Sequence, residues 1–311
     1  MNSSTSLSLI IRDFRPDDAD AVAAAHRAGR EHLVMSAEAL LWLNAQPASD
    51  EHFRTFVAEC DGRVVGAVRC ALVLGTSTAG VGYANGSVLP EFRRRGVATA
   101  LLAEAERHLA AHGVTELHTW LDDEPASLAF GAARGYELGR SAQFGGLDLT
   151  RPLPQAPALP AGVELRPASD WADDPRPLFL VEADAIRDEP GEVPMDALDY
   201  EDWLRGDWAR PDLDRGLSIV AVVDGEPAAF TLAQTDGVDR YWSAFSASRR
   251  EFRGRGLAKL AKLESLRLAA GAGFRRAYTS NDEGNAPMLA INAWLGYERC
   301  AGERKGIKRL S

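Results

Sequence analysis

The alternation of apolar and polar positions along this 311-residue chain runs through the same series of elements twice. Leu9-Ile10-Ile11-Arg12-Asp13, closed by Arg15-Pro16, predicts a first strand, and Val163-Glu164-Leu165-Arg166-Pro167 predicts its counterpart. Helical stretches follow over 18–29 and 176–186. Each half then shows a hairpin. Phe56 to Cys60 and Val64 to Val68 flank Asp61-Gly62, and Ser218 to Val223 and Ala228 to Ala233 flank Asp224-Gly225. Asp-Gly between two apolar runs favours a type I′ turn, whose two central residues need positive φ. Next come a strand (81–88 and 243–248), a turn rich in Arg and Gly, and a long amphipathic helix. The first such helix, 96–112, puts Val97, Ala100, Leu101, Ala105 and Leu109 on one face. The second, 256–270, draws its apolar positions from Leu257, Leu260, Leu263, Leu266 and Leu268. A further strand (116–121 and 276–280) leads to a last helix ending in Gly135-Tyr136 and Gly296-Tyr297.

The order of elements is shared, and so is their spacing: 39 residues separate Gly96 from Gly135, and 40 separate Gly256 from Gly296. Between the halves, 151–160 holds four prolines, which read as an extended, stiff connection. The expected organisation is therefore a first domain over 1–150, a linker over 151–161 and a second domain over 162–311. Each domain is long enough to bury its own core. Strands and helices interleaved in this way predict an α/β class built on a mixed sheet.

Composition narrows the function classes. The net charge is −10, and residues 1–155 carry −5 of it (14 Arg and no Lys against 19 Asp and Glu), so neither half offers the basic face that nucleic acid requires. No apolar run approaches the length of a membrane span, and the first residues lack the basic and apolar regions of a secretory signal. Three cysteines, Cys60, Cys70 and Cys300, without CxxC spacing, fit a reducing cytoplasm and neither a disulfide framework nor a structural zinc site. His108 and His112 have i, i+4 spacing but no HExxH context, and read as surface histidines, so no metal is expected. P-loop and nucleophile-elbow motifs are absent.

The candidate chemistry lies in the two turns, Phe92-Arg93-Arg94-Arg95-Gly96-Val97-Ala98 and Phe252-Arg253-Gly254-Arg255-Gly256-Leu257-Ala258. A glycine turn opening a helix offers successive backbone N–H groups and the positive end of the helix dipole to an anion, while arginines add charge-assisted contacts. Both turns therefore read as pyrophosphate cradles.

Both resemble the R/Q-x-x-G-x-G/A motif of the GNAT superfamily of N-acetyltransferases, and the resemblance extends over the chain once per half. It implies two tandem domains, each a mixed, mostly antiparallel sheet flanked by helices on both faces. The fourth and fifth strands would splay around the pantetheine arm of acetyl-CoA, the co-substrate. Carried over residue by residue, the cradles comprise Arg93, Arg94, Arg95, Gly96, Val97 and Ala98, and Arg253, Gly254, Arg255, Gly256, Leu257 and Ala258. Val88 and Ser248 would supply backbone to the pantetheine. Thr279-Ser280-Asn281 and the run Asn285 to Asn292 resemble an asparagine-rich variant of the terminal helix, with Asn281 and Asn285 near the pantetheine, as cofactor-binding residues, and near the acceptor. Many relatives place a tyrosine acid four residues before the terminal glycine. Here that position holds Gly131 and Asn292. Asn281, Asn292 and Ser246 are the catalytic candidates, Ser127 and Tyr278 are alternative acids, and Asp282 and Glu283 are alternative bases. Twelve carboxylates between 182 and 214, against three arginines, point to a cationic small-molecule amine as acceptor, and Tyr200, Trp203 and Trp208 stand nearby. The competing reading is a non-catalytic acyl-CoA-binding or regulatory protein. The repeat leaves open which half works and leans towards the second.

Overall fold

A computed structural model describes residues 8–45, 50–74, 76, 78–186 and 198–310. The first half forms β1 (Leu9–Asp13), α1 (Ala19–Gly29), α2 (Ala37–Ala45), β2 (Arg54–Cys60), β3 (Arg63–Leu72), β4 (Val81–Val88), α3 (Val97–Ala111), β5 (Glu116–Asp122), α4 (Pro125–Ala132) and β6 (Glu137–Asp148). The second half repeats the order with β7 (Val163–Pro167), α5 (Arg176–Ala185), α6 (Tyr200–Trp203), β8 (Ile219–Val223), β9 (Glu226–Thr235), β10 (Arg240–Ser248), α7 (Leu257–Gly271), β11 (Arg276–Asp282), α8 (Ala286–Leu295) and β12 (Glu298–Arg309). The architecture is the expected α/β one. In both hairpins the two turn residues have positive φ: 50° and 80° at Asp61 and Gly62, 50° and 88° at Asp224 and Gly225.

The chain packs as two compact units. One holds the chain up to Leu74, Thr78–Gly139 and the segment from Arg304 onward, and the bulk of the other is Arg140–Glu303. These units differ from a cut at the proline-rich stretch, because each takes its closing strand from the opposite half. In the second unit the sheet order is β7-β8-β9-β10-β11-β6. There β6 pairs antiparallel with β11 from Arg276↔Asp148 to Asp282↔Ala142. Leu147 and Leu149 are buried in that unit's core beside Ala233, Tyr241, Leu263 and Tyr297, with Leu153 and Ala156 of the proline-rich stretch packed on it. In the first unit the order β1-β2-β3-β4-β5 is continued by the end of β12. Leu310 N–H donates to Thr115 O at 2.8 Å, and Lys308 pairs with Glu106 at 2.8 Å. Gly306 lies so close to Thr119, Leu121 and Tyr136 that a Cβ would stand 3.0–3.2 Å from them.

The long helices bury the expected faces with one correction. Val97, Leu101, Ala105 and Leu109 line the buried side of α3, as the pattern predicts. On α7 the buried set is Leu257, Leu260, Ala261, Lys262, Leu263, Ser265, Leu266 and Ala269, whereas Leu268 is 40% exposed. Two residues past Leu266 is about 200° around the helix, which carries Leu268 to the opposite side. Burial of a lysine on this face was not expected from sequence. No helix among the described residues is long and apolar enough to cross a membrane.

Candidate active site

In each unit a parallel pair of strands opens part of the way along. β4 pairs with β5 only at Val81↔Glu116, Gly82↔Leu117 and Tyr83↔His118. β10 pairs with β11 only at Arg240↔Arg276, Tyr241↔Ala277 and Trp242↔Tyr278. Past those positions β4 stays attached to β3 as far as Gly66↔Val88, and β10 to β9 as far as Ser248↔Ala229. One backbone edge of each strand end is therefore left facing a gap. An extended ligand can pair with such an edge.

The Arg/Gly turns close the gaps at one end. Gly254 and Gly256 have φ of 76° and 75°, and Arg94 and Gly96 have φ of 62° and 86°. Arg93 and Arg253 are both extended, with ψ of 156° and 157°. The two turns thus adopt one backbone path, although Arg94 occupies a left-handed position that glycine fills in the other unit. Gly96 and Gly256 cap α3 and α7 without a side-chain cap, so the first-turn N–H groups of two 15-residue helices point outward. A Cβ at Gly96, Gly254 or Gly256 would meet nothing within 4 Å. Concave, donor-lined and at a helix N-terminus, this geometry fits a polyphosphate.

The motif arginines are arranged differently from the charge cradle expected of them. Arg93 donates through Nη2 to Gly29 O at 2.7 Å and through Nε to Val88 O at 3.3 Å, and Arg253 donates to Ser248 O at 3.3 Å. These two brace the end of the splayed strand. Arg95 and Arg255 lie over the rings of Phe92 and Phe252, at 5.4 and 5.5 Å. The turns therefore offer backbone N–H groups first, with Arg93, Arg94 and Arg253 in the cleft walls.

A cleft of about 440 Å³ in the first unit gathers Val88, Arg93, Arg94, Gly96, Val97 and Ala98; Arg95 is not in its wall. A cleft of about 840 Å³ in the second gathers Ser246, Ser248, Arg253, Gly254, Gly256, Leu257, Ala258, Asn281 and Asn285; Arg255 and Asn292 are not in its wall. The gaps also differ. β10 carries an irregularity between Ser243 and Phe245, leaving Ala244 as an extra residue just past its last pair with β11. β4 pairs with β3 without interruption. Trp120 N–H donates to Asn85 Oδ1 across its gap at 3.0 Å, and Thr119 Oγ1 donates to Ala84 O at 2.7 Å, a contact that Thr279 makes in the second gap with Ser243 O at 3.5 Å. An ion pair between Arg30 and Asp122, 3.0 Å long, stands in the wall of that cleft.

Behind the second cleft lies a polar chain that sequence reasoning missed. Lys262 is 1% exposed, and its Nζ donates to Asn292 Oδ1 at 2.7 Å and to Thr279 Oγ1 at 3.4 Å. Asn292 Nδ2 donates in turn to Asn281 Oδ1 at 2.6 Å. Burial lowers the Lys262 ammonium to about 7. Aligning the halves on their turn glycines would have found it, since Leu102 occupies the corresponding place in the first half.

The other candidates are placed as follows. Ser246 Oγ lies 2.8 Å from Thr231 Oγ1. Asn285 caps α8, accepting from Met288 N–H at 3.3 Å. Asp282 is tied to Arg140 at 2.8 Å, and Glu283 to Arg299 at 3.2 Å. Tyr278 is buried, and Ser127 lines the first cleft. In the acidic stretch, Asp188, Glu189, Glu192 and Asp196 lie outside the described residues. Others serve the fold. Glu182 accepts from Trp203 Nε1 at 3.0 Å, Asp184 from Arg250 N–H at 2.8 Å, and Asp212 holds Arg210 through two bonds. Tyr200, Trp203 and Trp208 pack into the core under α5. The His112 ring lies tilted against that of His52, 4.1 Å between centres. Among the described residues no cluster of three or more His, Cys, Asp or Glu is placed to hold a metal.

Splayed strands beside an uncapped glycine turn, built twice in one chain, define an acyl-CoA-handling fold, and the chain belongs to the acetyltransferase (GNAT) family, which it matches over 20–136 and again over 170–297. Among curated proteins it is 31% identical over 237 residues to a mycothiol acetyltransferase of Cellulomonas flavigena, covering 75% of this chain and 63% of that one. It therefore spans less than two thirds of that relative's length. It is 38% identical over 110 residues to an L-2,4-diaminobutyric acid acetyltransferase of Nocardia farcinica, covering 34% and 54% of the two chains. Among solved structures it is similar to a tandem GNAT protein from the clavulanic acid biosynthesis pathway, with a TM-score of 0.73 and 25% identity over 97% of this chain and 98% of that one.

Proposed function

We propose that the protein is an acetyl-CoA-dependent N-acetyltransferase whose working site is the cleft of the second unit. Acetyl-CoA would supply the acetyl thioester. The open N–H groups at Gly254–Leu257 would hold its pyrophosphate, and the free edge of Ala244–Ser248 would align its pantetheine. A neutral amine then attacks the thioester carbonyl, and a backbone N–H of β10 is positioned for the oxygen on which negative charge develops. One observation carries the choice of unit: β10 has an extra residue, Ala244, beside its gap, whereas Asn85 bridges the gap of the first unit to Trp120 N–H. That bridge favours a second reading for the first unit, in which it binds acyl-CoA without catalysis.

For the acceptor we propose a small cationic amine. The reading rests on the diaminobutyrate named for the Nocardia relative. Spermidine, L-2,4-diaminobutyrate and an aminoglycoside are the first acceptors to try.

Calorimetric titration of acetyl-CoA into the wild type, Gly96→Glu and Gly256→Glu tests the site. Glutamate at either glycine sets a carboxylate and an αL strain where the pyrophosphate would sit. The expected outcome is loss of turnover in Gly256→Glu and retention of it in Gly96→Glu. The opposite pattern would move catalysis to the first unit, and a wild type that binds no acetyl-CoA would end the proposal.

A further inference from the structure

Transfer of an acetyl group from a thioester leaves an electron pair on sulfur, and the second cleft offers few groups able to meet it. Among the described residues, its wall contains no Asp, Glu, His, Cys or Tyr. Its ionisable members are Arg253, Lys259 and Lys262. Arg253 braces Ser248 O, and Lys259 Nζ lies 4.3 Å from the centre of the Trp294 ring. Lys262 alone among these three is fully buried, and two hydrogen bonds hold it in place.

The first unit shows what this position looks like when the lysine is absent. The turn glycines align Lys262 with Leu102, the splayed pairs align Asn281 with Leu121, and the terminal glycines align Asn292 with Gly131. Leu102 packs on the apolar core, and Leu121 fills the space beside Gly131 so closely that a Cβ there would lie 2.4 Å from Leu121 Cδ1. Three apolar or small residues in one unit thus replace three polar, mutually bonded residues in the other. A buried lysine without a carboxylate partner costs stability that an apolar side chain would not, so its retention in the unit with the open gap points to use.

We propose that Lys262 is the catalytic proton donor to the sulfur that leaves the thioester in the second unit. The assignment rests on the reading of that cleft as the acetyl-transfer site. In the step, the acceptor nitrogen bonds to the acetyl carbon, the carbon–sulfur bond breaks and its electron pair goes to sulfur. Lys262 Nζ gives a proton to that sulfur, forming the CoA thiol and a neutral amine. The proton shed by the new amide nitrogen passes to water, and Lys262 is recharged from water. Burial, which brings this ammonium to about 7, makes it a competent donor near neutral pH. The ionisable groups that neighbouring elements bring to this region of the core are phenols: Tyr297, whose ring centre is 5.2 Å from Nζ, and Tyr241 of β10. Burial pushes both upward, Tyr241 to about 12, so both are neutral where Lys262 titrates.

The chain has four lysines, so ¹³C-lysine NMR of the full-length protein can follow Lys262 directly, identified as the resonance missing from Lys262→Met. Titrations are run with CoA, acetyl-CoA and desulfo-CoA. A sulfur beside Nζ changes the surroundings of that resonance, so CoA and acetyl-CoA are expected to shift the Lys262 signal and desulfo-CoA to leave it near its free position. Equal shifts with CoA and desulfo-CoA would overturn the proposal. In kinetics, Lys262→Met is expected to lower kcat by about 100-fold or more, with little change in acetyl-CoA binding and an unchanged or higher Tm. It should also remove the alkaline descending limb of the kcat profile. Loss of an ascending limb instead would make Lys262 a base, and an unchanged kcat would exclude it; either refutes the assignment. If Lys262→Met does not fold, the set Lys262→Leu, Asn281→Leu and Asn292→Gly, which the first unit already accommodates, takes its place. A Gly256→Glu variant that still turns over would fault the choice of cleft, separately from the lysine.

Discussion

The two Arg/Gly turns separate what a motif residue contributes through its backbone from what it contributes through its side chain. Glycine at 96, 254 and 256 adopts positive φ with open space where a Cβ would stand; the close approach that glycine allows was legible from sequence, the positive φ was not. A second part played by the arginines was not legible from charge alone: Arg93 and Arg253 satisfy strand-end carbonyls. The same holds for Asn285, which stands in the cleft wall and also caps α8. Asn285→Ala is therefore expected to lower stability by about 1 kcal/mol, the usual value of an N-cap, measured by urea unfolding. An unchanged midpoint would show that the cap contributes nothing.

At the scale of elements, the strands and helices with strong periodicity were legible and the closing strands were not. β6 and β12 read Glu-Leu-Gly-Arg-Ser-Ala-Gln-Phe-Gly-Gly-Leu-Asp and Glu-Arg-Cys-Ala-Gly-Glu-Arg-Lys-Gly-Ile-Lys-Arg, with too little apolar alternation to announce a strand. They form because β11 and β5 would otherwise present unpaired backbone to water. The composition of the units makes this testable. Removing residues 304–311 takes a strand from the first unit together with Leu310 and the Lys308–Glu106 pair. Hydrogen exchange should then accelerate in β5 and α4, by about tenfold or more, with β8 and β9 unaffected. Uniform acceleration, or none, would contradict the assignment of that segment to the first unit.

For the whole molecule, acid sensitivity should originate in the first unit. His26 is fully buried beside Ser87 Oγ at 2.8 Å, and burial, helped by Arg69 and Arg30, holds it down to about 3. Above pH 6.5 it is neutral in both folded and unfolded chains. As pH falls from 6.5 towards 3 the unfolded chain takes up a proton that the folded chain refuses, so stability is lost through that window. The slope for one such group is at most roughly 1.4 kcal/mol per pH unit. His32, lowered to about 4 mainly by burial, acts in the same direction. Urea unfolding between pH 7 and 4 should show this decline for the first unit, and His26→Gln should flatten it. A decline of equal slope in the variant would assign it to other groups.

The sequence by itself determined the duplication, the α/β class, the hairpin turns and the two helix-opening glycine turns. These depend on local quantities: periodicity, backbone freedom at glycine, and the spacing of punctuating residues. Tertiary structure alone decided which half supplies each unit's last strand, because strand exchange depends on edges far apart in the chain. It also decided that the two clefts differ. One added residue in β10 and one lysine turned inward on α7, at a place where α3 has leucine, are small marks in sequence. Their consequence appears only where the strands diverge and the helices pack, since burial gives a lone ammonium its altered proton affinity.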